Sequence, residues 1–204
     1  MFNPVTLASQ KITLEPLTIA HLDAFQLAGN FEQVWQHMPM NRCKDQETAR
    51  QWLNIALKEM AQGKEIGFAT IDKASNTLVG STRMIRLNST HKKLEIGYTF
   101  ITPKFQRSYV NSHAKFLMLQ HAFEHLGMVR VEICTHEDNQ QSRTAIARIG
   151  GQFEGILRKH RRNPDNSYRN TAMFSITDDD WPQVKQALLA TGSSEQEFYH
   201  SQVA

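Results

Sequence analysis

Cysteine is scarce in this chain: there are two among 204 residues, Cys43 and Cys134. Their spacing is of neither the zinc nor the redox kind, so a disulfide scaffold and a cysteine-built metal centre are excluded and both read as free thiols. Long hydrophobic runs are missing too. No window approaches the roughly 20 apolar residues of a membrane span, and Met1-Phe2-Asn3-Pro4 lacks the basic region followed by an apolar stretch of an export signal. A cytoplasmic chain with no membrane partner is expected. Charge of one sign is not in excess either: 23 basic against 20 acidic residues leave a formal +3. The basic residues are spread along the chain apart from Arg158-Lys159-His160-Arg161-Arg162, so a broad nucleic-acid footprint is not expected. There is no internal repeat or low-complexity tract. What is present, 40% hydrophobic and 21% charged residues, is the composition of an ordinary globular protein long enough to bury a sizeable core. The expectation is one domain over residues 1–190, with a flexible tail over 191–204.

Periodicity supplies the elements. Ile12 to Leu17 alternates as a strand, and Thr18 is placed to cap a short helix from about Ile19 to Ala28. Phe31 to Lys44 holds no period and reads as an irregular connection that folds over something, a candidate substrate wall. Asp45 then caps a helix whose apolar face is Ala49, Trp52, Leu53, Ala56 and Met60, closed by Gly63. Three strands follow, Ile66 to Ile71, Thr77 to Leu87 and Lys92 to Ile101, joined by polar turns. A helix from Val110 to Leu126, a β-branched strand from Val129 to Thr135 and a helix from Gln140 come next. Phe153 to Arg158 and Tyr168 to Ile176 form a hairpin around Asn163-Pro164-Asp165-Asn166, and a final helix covers about 180–189. Strand, helix and strand in succession from Lys92 to Thr135 favour a parallel pair with a right-handed crossover inside an otherwise antiparallel sheet. The fold class is therefore mixed α/β.

The stretch from Leu94 to Asn111 organises the rest. A strand ends at Thr102-Pro103, and a polar loop runs directly into a helix start. Such a start leaves backbone donors without partners and carries the positive end of the helix dipole, so it suits an anion.

The motifs Glu95-Ile96-Gly97-Tyr98-Thr99-Phe100, Gln106-Arg107-Ser108-Tyr109-Val110-Asn111-Ser112, Asn139-Gln140-Gln141-Ser142, Arg148-Ile149-Gly150-Gly151 and Phe153-Glu154-Gly155 through Arg158 stand in one order. Together they resemble the GNAT superfamily of acetyl-CoA-dependent N-acetyltransferases, in particular the branch of ribosomal-protein serine and alanine N-terminal acetyltransferases, over about Ile12 to Leu189. The resemblance implies a mostly antiparallel central sheet with one splayed parallel strand pair. Into that splay the pantetheine arm of acetyl-CoA would enter, against backbone groups of Tyr98, Thr99, Phe100 and Ile101. The pyrophosphate would sit on amides of Gln106, Arg107, Ser108, Tyr109, Val110 and Asn111. Asn139 matches the asparagine that bonds the pantetheine arm, and Ser142 the donor to the CoA sulfur. The family prefers small residues where this chain has Tyr109 and Asn111. A side chain there is costly if either position needs a positive φ.

Acetyl transfer to an amine needs the amine neutral, and an α-amino group with a pKa of about 8 yields its proton far more readily than a lysine at about 10.4. Glu95, on the central strand, is the candidate base, with an exposed strand carboxylate or a structural ion pair as its plainer role. Ser142 would donate to the departing sulfur, or serve as an ordinary capping-region hydroxyl. Cys134 reads as a packing residue, and His113, His121 and His125 as ordinary helix histidines with no set that completes a metal site. The basic run borders where an acceptor would enter and would suit an acidic acceptor, or else form a solvated hairpin tip. The implied function is acetyl-CoA-dependent transfer to a primary amine, including a peptide N-terminal α-amine, by direct attack in a ternary complex of a monomer or homodimer. The second reading is a catalytically weakened CoA-binding or sensing module, motivated by Tyr109 and Asn111.

Overall fold

The computed structural model describes residues 3–38, 40–192 and 194–199. An eight-stranded sheet in the order β1-β2-β3-β4-β5-β6-β8-β7 runs through it. Its strands are β1 (Leu7–Ala8), β2 (Ile12–Pro16), β3 (Ile66–Asp72), β4 (Thr77–Asn88), β5 (Lys93–Ile101), β6 (Arg130–His136), β7 (Gln152–Arg162) and β8 (Tyr168–Thr177). Every neighbouring pair is antiparallel except β5 with β6. That is the mixed sheet expected from the order of elements.

Helices cover both faces. On one side lie α1 (Leu22–Gly29), α2 (Glu32–Trp35) and α3 (Gln46–Ala61), whose Phe25, Trp35, Trp52 and Leu53 bury against Phe100 and Ala69. Asp45 caps α3 by accepting the Thr48 amide at 2.7 Å, and Gly63 ends the segment at φ 67°, where a side chain would be strained. On the other side lie α4 (Tyr109–Gln120), α5 (Gln140–Arg148) and α6 (Trp181–Leu189), which bury Phe116, Leu119, Ile146 and Trp181 against Leu94, Ile96 and Val131.

The segment from Phe31 to Lys44, expected to be irregular, contains the short helix α2, and the edge strand β1 has no counterpart in the sequence expectation. Other details depart from it as well. The first helix begins as a 3-10 turn over Ile19–His21 before α1. The helix expected to run from Val110 to Leu126 is α-helical to Gln120 and then widens into a π turn, His121–His125, where the Leu126 amide reaches back to the His121 carbonyl. Part of the stretch expected to be a flexible tail is packed. Glu195–Phe198 forms a 3-10 turn, and Phe198 stacks on His113 at 4.1 Å and lies 5.0 Å from Phe116, 1% exposed. Two adjacent aromatics, Phe198 and Tyr199, after a polar stretch carry no periodicity, so tertiary burial decided what pattern could not. His113 is enclosed there, bonded to Ser9 Oγ at 2.9 Å, and burial pushes its imidazole down to about 4. The tail residues 193 and 200–204 lie outside the described ones.

Truncating a fully buried aromatic leaves a cavity, so Phe198→Ala should destabilise the fold by about 3–5 kcal/mol. Calorimetry should show Tm falling by on the order of 10 °C.

Candidate active site

The parallel pair is short. β5 pairs with β6 only at Lys93–Arg130, Leu94–Val131 and Glu95–Glu132. Past Glu132, β6 keeps its antiparallel partner β8 as far as His136–Thr171, while β5 keeps β4 as far as Ile101–Gly80. From Ile96 onward the facing edges of β5 and β6 have no ladder between them, and backbone donors and acceptors there are left for another partner. A register shift between Ser81 and Arg83 marks a bulge in β5, with Tyr98 at φ 48°. Bulges re-aim side chains. Before it, Leu94 and Ile96 face α4; after it, Tyr98 meets Trp52 at 5.9 Å and Phe100 meets Phe25 at 5.2 Å on the opposite face.

Glu95 sits at the point where the pair opens. It is 2% exposed, with Arg86 Nη1 at 3.2 Å from Oε2 and Arg161 Nη2 at 3.3 Å from Oε1. Burial raises its pKa above the ordinary carboxylate value, and the two arginines oppose that without reversing it. Arg161 arrives there because β7 has its own register shift between Leu157 and Arg161, with Lys159 at φ 50°. The basic run is thereby split: Arg158 and Arg162 stay exposed and Arg161 turns inward. Cys134 lies beside Glu95, and burial followed by the Glu95 charge pushes its thiol up to about 12. It is a protonated thiol 3.5 Å from Met173 Sδ, which suits packing and not nucleophilic attack.

Beyond β5, a 3-10 turn over Pro103–Phe105 leads to Gln106, Arg107 and the cap Ser108, whose Oγ accepts the Val110 amide at 3.3 Å. The left-handed residue is Arg107, at φ 60°. Tyr109 and Asn111 lie within α4, and neither has a positive φ. The Tyr109 hydroxyl donates to Asp72 Oδ1 at 2.5 Å, which takes its ring away toward β3. Of the four strand residues read from the sequence as lining the pantetheine arm, Ile101 has its carbonyl committed to Gln106 Nε2 at 3.1 Å. Gln106 Oε1 in turn accepts Gln141 Nε2 at 3.2 Å, which ties the loop to the first turn of α5. Asn139 caps α5 by accepting the Ser142 amide at 2.9 Å, so its Nδ2 is left for a second partner. Ser142 is half-buried in that same turn.

The model of the acetyltransferase (GNAT) domain matches residues 11–152. This chain belongs to the GNAT acetyltransferase family. A GCN5-related N-acetyltransferase from Brucella melitensis superposes with a TM-score of 0.85 at 31% identity, over 93% of this chain and 86% of that one. The uncharacterized N-acetyltransferase YoaA of Bacillus subtilis is 22% identical over 170 residues, 83% of this chain and 95% of YoaA. RimJ of Mycobacterium smegmatis, solved in complex with CoA-disulfide, shares the fold with a TM-score of 0.79 at 19% identity, over 93% and 95% of the two chains. As a GNAT member the chain is an N-acetyltransferase, and the eight-stranded sheet with one splayed parallel pair is its fold.

Two buried cations of this acetyltransferase escaped the sequence reading. Arg83, 2% exposed, stacks 4.3 Å over Trp52 and 5.2 Å from Tyr98 and pairs with Glu65 at 3.2 Å, so it braces the ring of the bulge residue. Lys115, 5% exposed on α4, donates to Thr99 Oγ1 at 3.0 Å, and Thr99 Oγ1 also lies 2.7 Å from Thr82 Oγ1. The sequence signal was slight: Lys115 falls between Ala114 and Phe116 inside the apolar arc of the helix, where an exposed lysine would not.

Burial lowers the Lys115 amine to about 7. Between that value and its ordinary 10.5, the unfolded chain binds a proton the folded chain does not, so stability rises with pH across this window. Lys115→Met should remove that rise, whose slope approaches ~1.4 kcal/mol per pH unit, and should leave Tm at pH 7 equal or higher. Denaturant melts of both proteins at pH 7 and 9.5 measure it.

Proposed function

We propose that this GNAT member transfers the acetyl group of acetyl-CoA to a primary amine by direct attack within a ternary complex. The observation that carries the reading is Glu95, buried at the point where β5 and β6 part, with its pKa raised by desolvation. The other candidate residues fit the donor. Backbone groups of Tyr98, Thr99 and Phe100 would line the pantetheine arm and Asn139 Nδ2 would bond it, with Ser142 near the sulfur. The first-turn amides of α4, with Gln106, Arg107 and Ser108 before them, would take the pyrophosphate, since a helix start offers unpaired donors and a positive dipole end. Tyr109 no longer argues for a module that binds without turning over, because its ring is held on Asp72.

In this reading Glu95 accepts the proton of the incoming amine, directly or through a water, and its raised pKa makes that transfer less uphill than for an ordinary carboxylate. Ser142 donates a hydrogen bond to the departing sulfur. A backbone amide of the bulged strand stabilises the developing oxyanion. Holding both reactants supplies much of the acceleration. A peptide α-amine suits so mild a base better than a lysine does.

CoA binding should raise Tm, because a ligand of the native state stabilises it; no shift would sink the reading. Glu95→Gln should lower kcat by on the order of 10²–10⁴ with CoA affinity retained. The acid limb of the wild-type kcat/KM profile should titrate above the ordinary carboxylate range, since Glu95 must lose its proton to act. It should be absent from the variant. Ser142→Ala with an unchanged rate would remove that residue as donor.

A further inference from the structure

Arg161 and Arg169 are register partners across the β7–β8 hairpin. Two like charges directly opposite one another on antiparallel strands repel, and a folded protein keeps such a pair at a cost unless an anion is shared between them. Arg161 finds half of Glu95, which it divides with Arg86. Among the described residues, Arg169 has no carboxylate partner. Its Nη1 donates to the His37 carbonyl at 2.8 Å, and its buried Nε has no hydrogen-bond partner; the buried Nε of Arg161 is also unpaired. Arg86 and Arg161 thus flank Glu95 at the opened strands, and Arg169 stands across the hairpin from Arg161. Arg169 also lines a cavity of about 300 Å³ with His37 and Met38 from the segment after α2, His136 from the end of β6, and Asn163 from the hairpin turn. Asp165, on its rim, is held by the Ser167 amide and hydroxyl at 2.9 and 2.6 Å and is directed to its own turn.

We propose that the acceptor carries a carboxylate a few bonds from its amine, and that Arg169 binds that carboxylate in the cavity, with Arg161 its neighbour across the hairpin. The proposal rests on the N-acetyltransferase reading of the same site. A carboxylate matches a guanidinium fork, and the Arg169 guanidinium, which lines the cavity, has no carboxylate partner among the described residues. Cross-strand partners stand roughly 4.5–5.5 Å apart at Cα. A carboxylate on Arg169 is therefore close to Arg161, whose guanidinium already touches Glu95. An amine a few bonds from that anchor falls beside the proposed base. The carboxylate could be the α-carboxylate of a free amino acid or the side chain of an acidic first residue of a peptide, and both present the same chemistry.

Steady-state kinetics with acetyl-CoA separate these sources. One arm compares leucine and glutamine with leucinamide and glutamine amide; the other compares peptides that begin with Asp or Glu with the same peptides beginning with Asn or Gln. The expected result is a kcat/KM at least about 10-fold higher for the carboxylate member in one arm, which names the source. In Arg169→Gln that ratio should collapse toward one, through KM of the carboxylate member more than through kcat; Arg169→Lys, which keeps the charge without the fork, should fall between. Equal or faster acetylation of the neutral members in both arms, or a ratio that survives Arg169→Gln, overturns the proposal. A second readout applies if no acceptor in the panel turns over. With CoA present, N-acetylglutamate or an N-acetylated Asp-peptide should raise Tm of the wild type and not of Arg169→Gln, and no carboxylate-dependent shift overturns the proposal as well. A protein that CoA itself does not stabilise would instead remove the acetyltransferase reading, so the two failures are distinguishable.

Discussion

The site depends on one competition between strands. β5 and β6 share three residue pairs and then each stays with its other neighbour, β5 with β4 and β6 with β8. Antiparallel ladders on both outer sides are long, and the parallel ladder between them is short, so the twist of the sheet is released at this one seam. The opening is thus a consequence of how the whole sheet is partnered and not of any residue within it. The bulge at Tyr98 adds a half-turn of phase, which sends Thr99 to the α4 face and Tyr98 and Phe100 to the α3 face.

Ionisable groups are buried on both sides of that bulge, and they are handled differently. On the α4 face, Lys115 has one hydroxyl for company, and desolvation brings its amine down to about 7. On the other side Glu95 has two arginines and still remains raised, because the loss of water outweighs two partially exposed cations. Removing water from a charge is the larger effect at both positions. The same logic leaves Arg169 and Arg161 with buried nitrogens unmatched, which is the observation that points outward, to a ligand.

The loop before α4 shows why residue type alone misleads. A tyrosine in a run that prefers small residues looks obstructive, yet Tyr109 is the first residue of the helix and its hydroxyl has an acceptor on β3. The left-handed position belongs to Arg107, one of the residues read as a phosphate contact, and not to either residue that drew suspicion.

Most of the architecture was legible in the chain itself. Strand alternation, the helical arc of Ala49, Trp52, Leu53, Ala56 and Met60, the Asp45 cap and the closing Gly63 all act within a few residues, and local sterics and hydrogen bonding decide such features. The family motifs likewise sit in continuous stretches, so Glu95, Asn139, Ser142 and the Gln106–Asn111 loop could be put forward as candidates from the sequence. Contacts between distant segments could not. The stacking of Phe198 on His113, the Tyr109–Asp72 bond, the inward turn of Arg161 and the burial of Lys115 each join residues separated by 16 to 85 positions or depend on a bulge that periodicity does not report. What the amino-acid sequence determined by itself was the set of elements and the chemistry on offer. Tertiary structure alone decided which charges lose their water together, because desolvation depends on everything packed around a group and not on its neighbours along the chain.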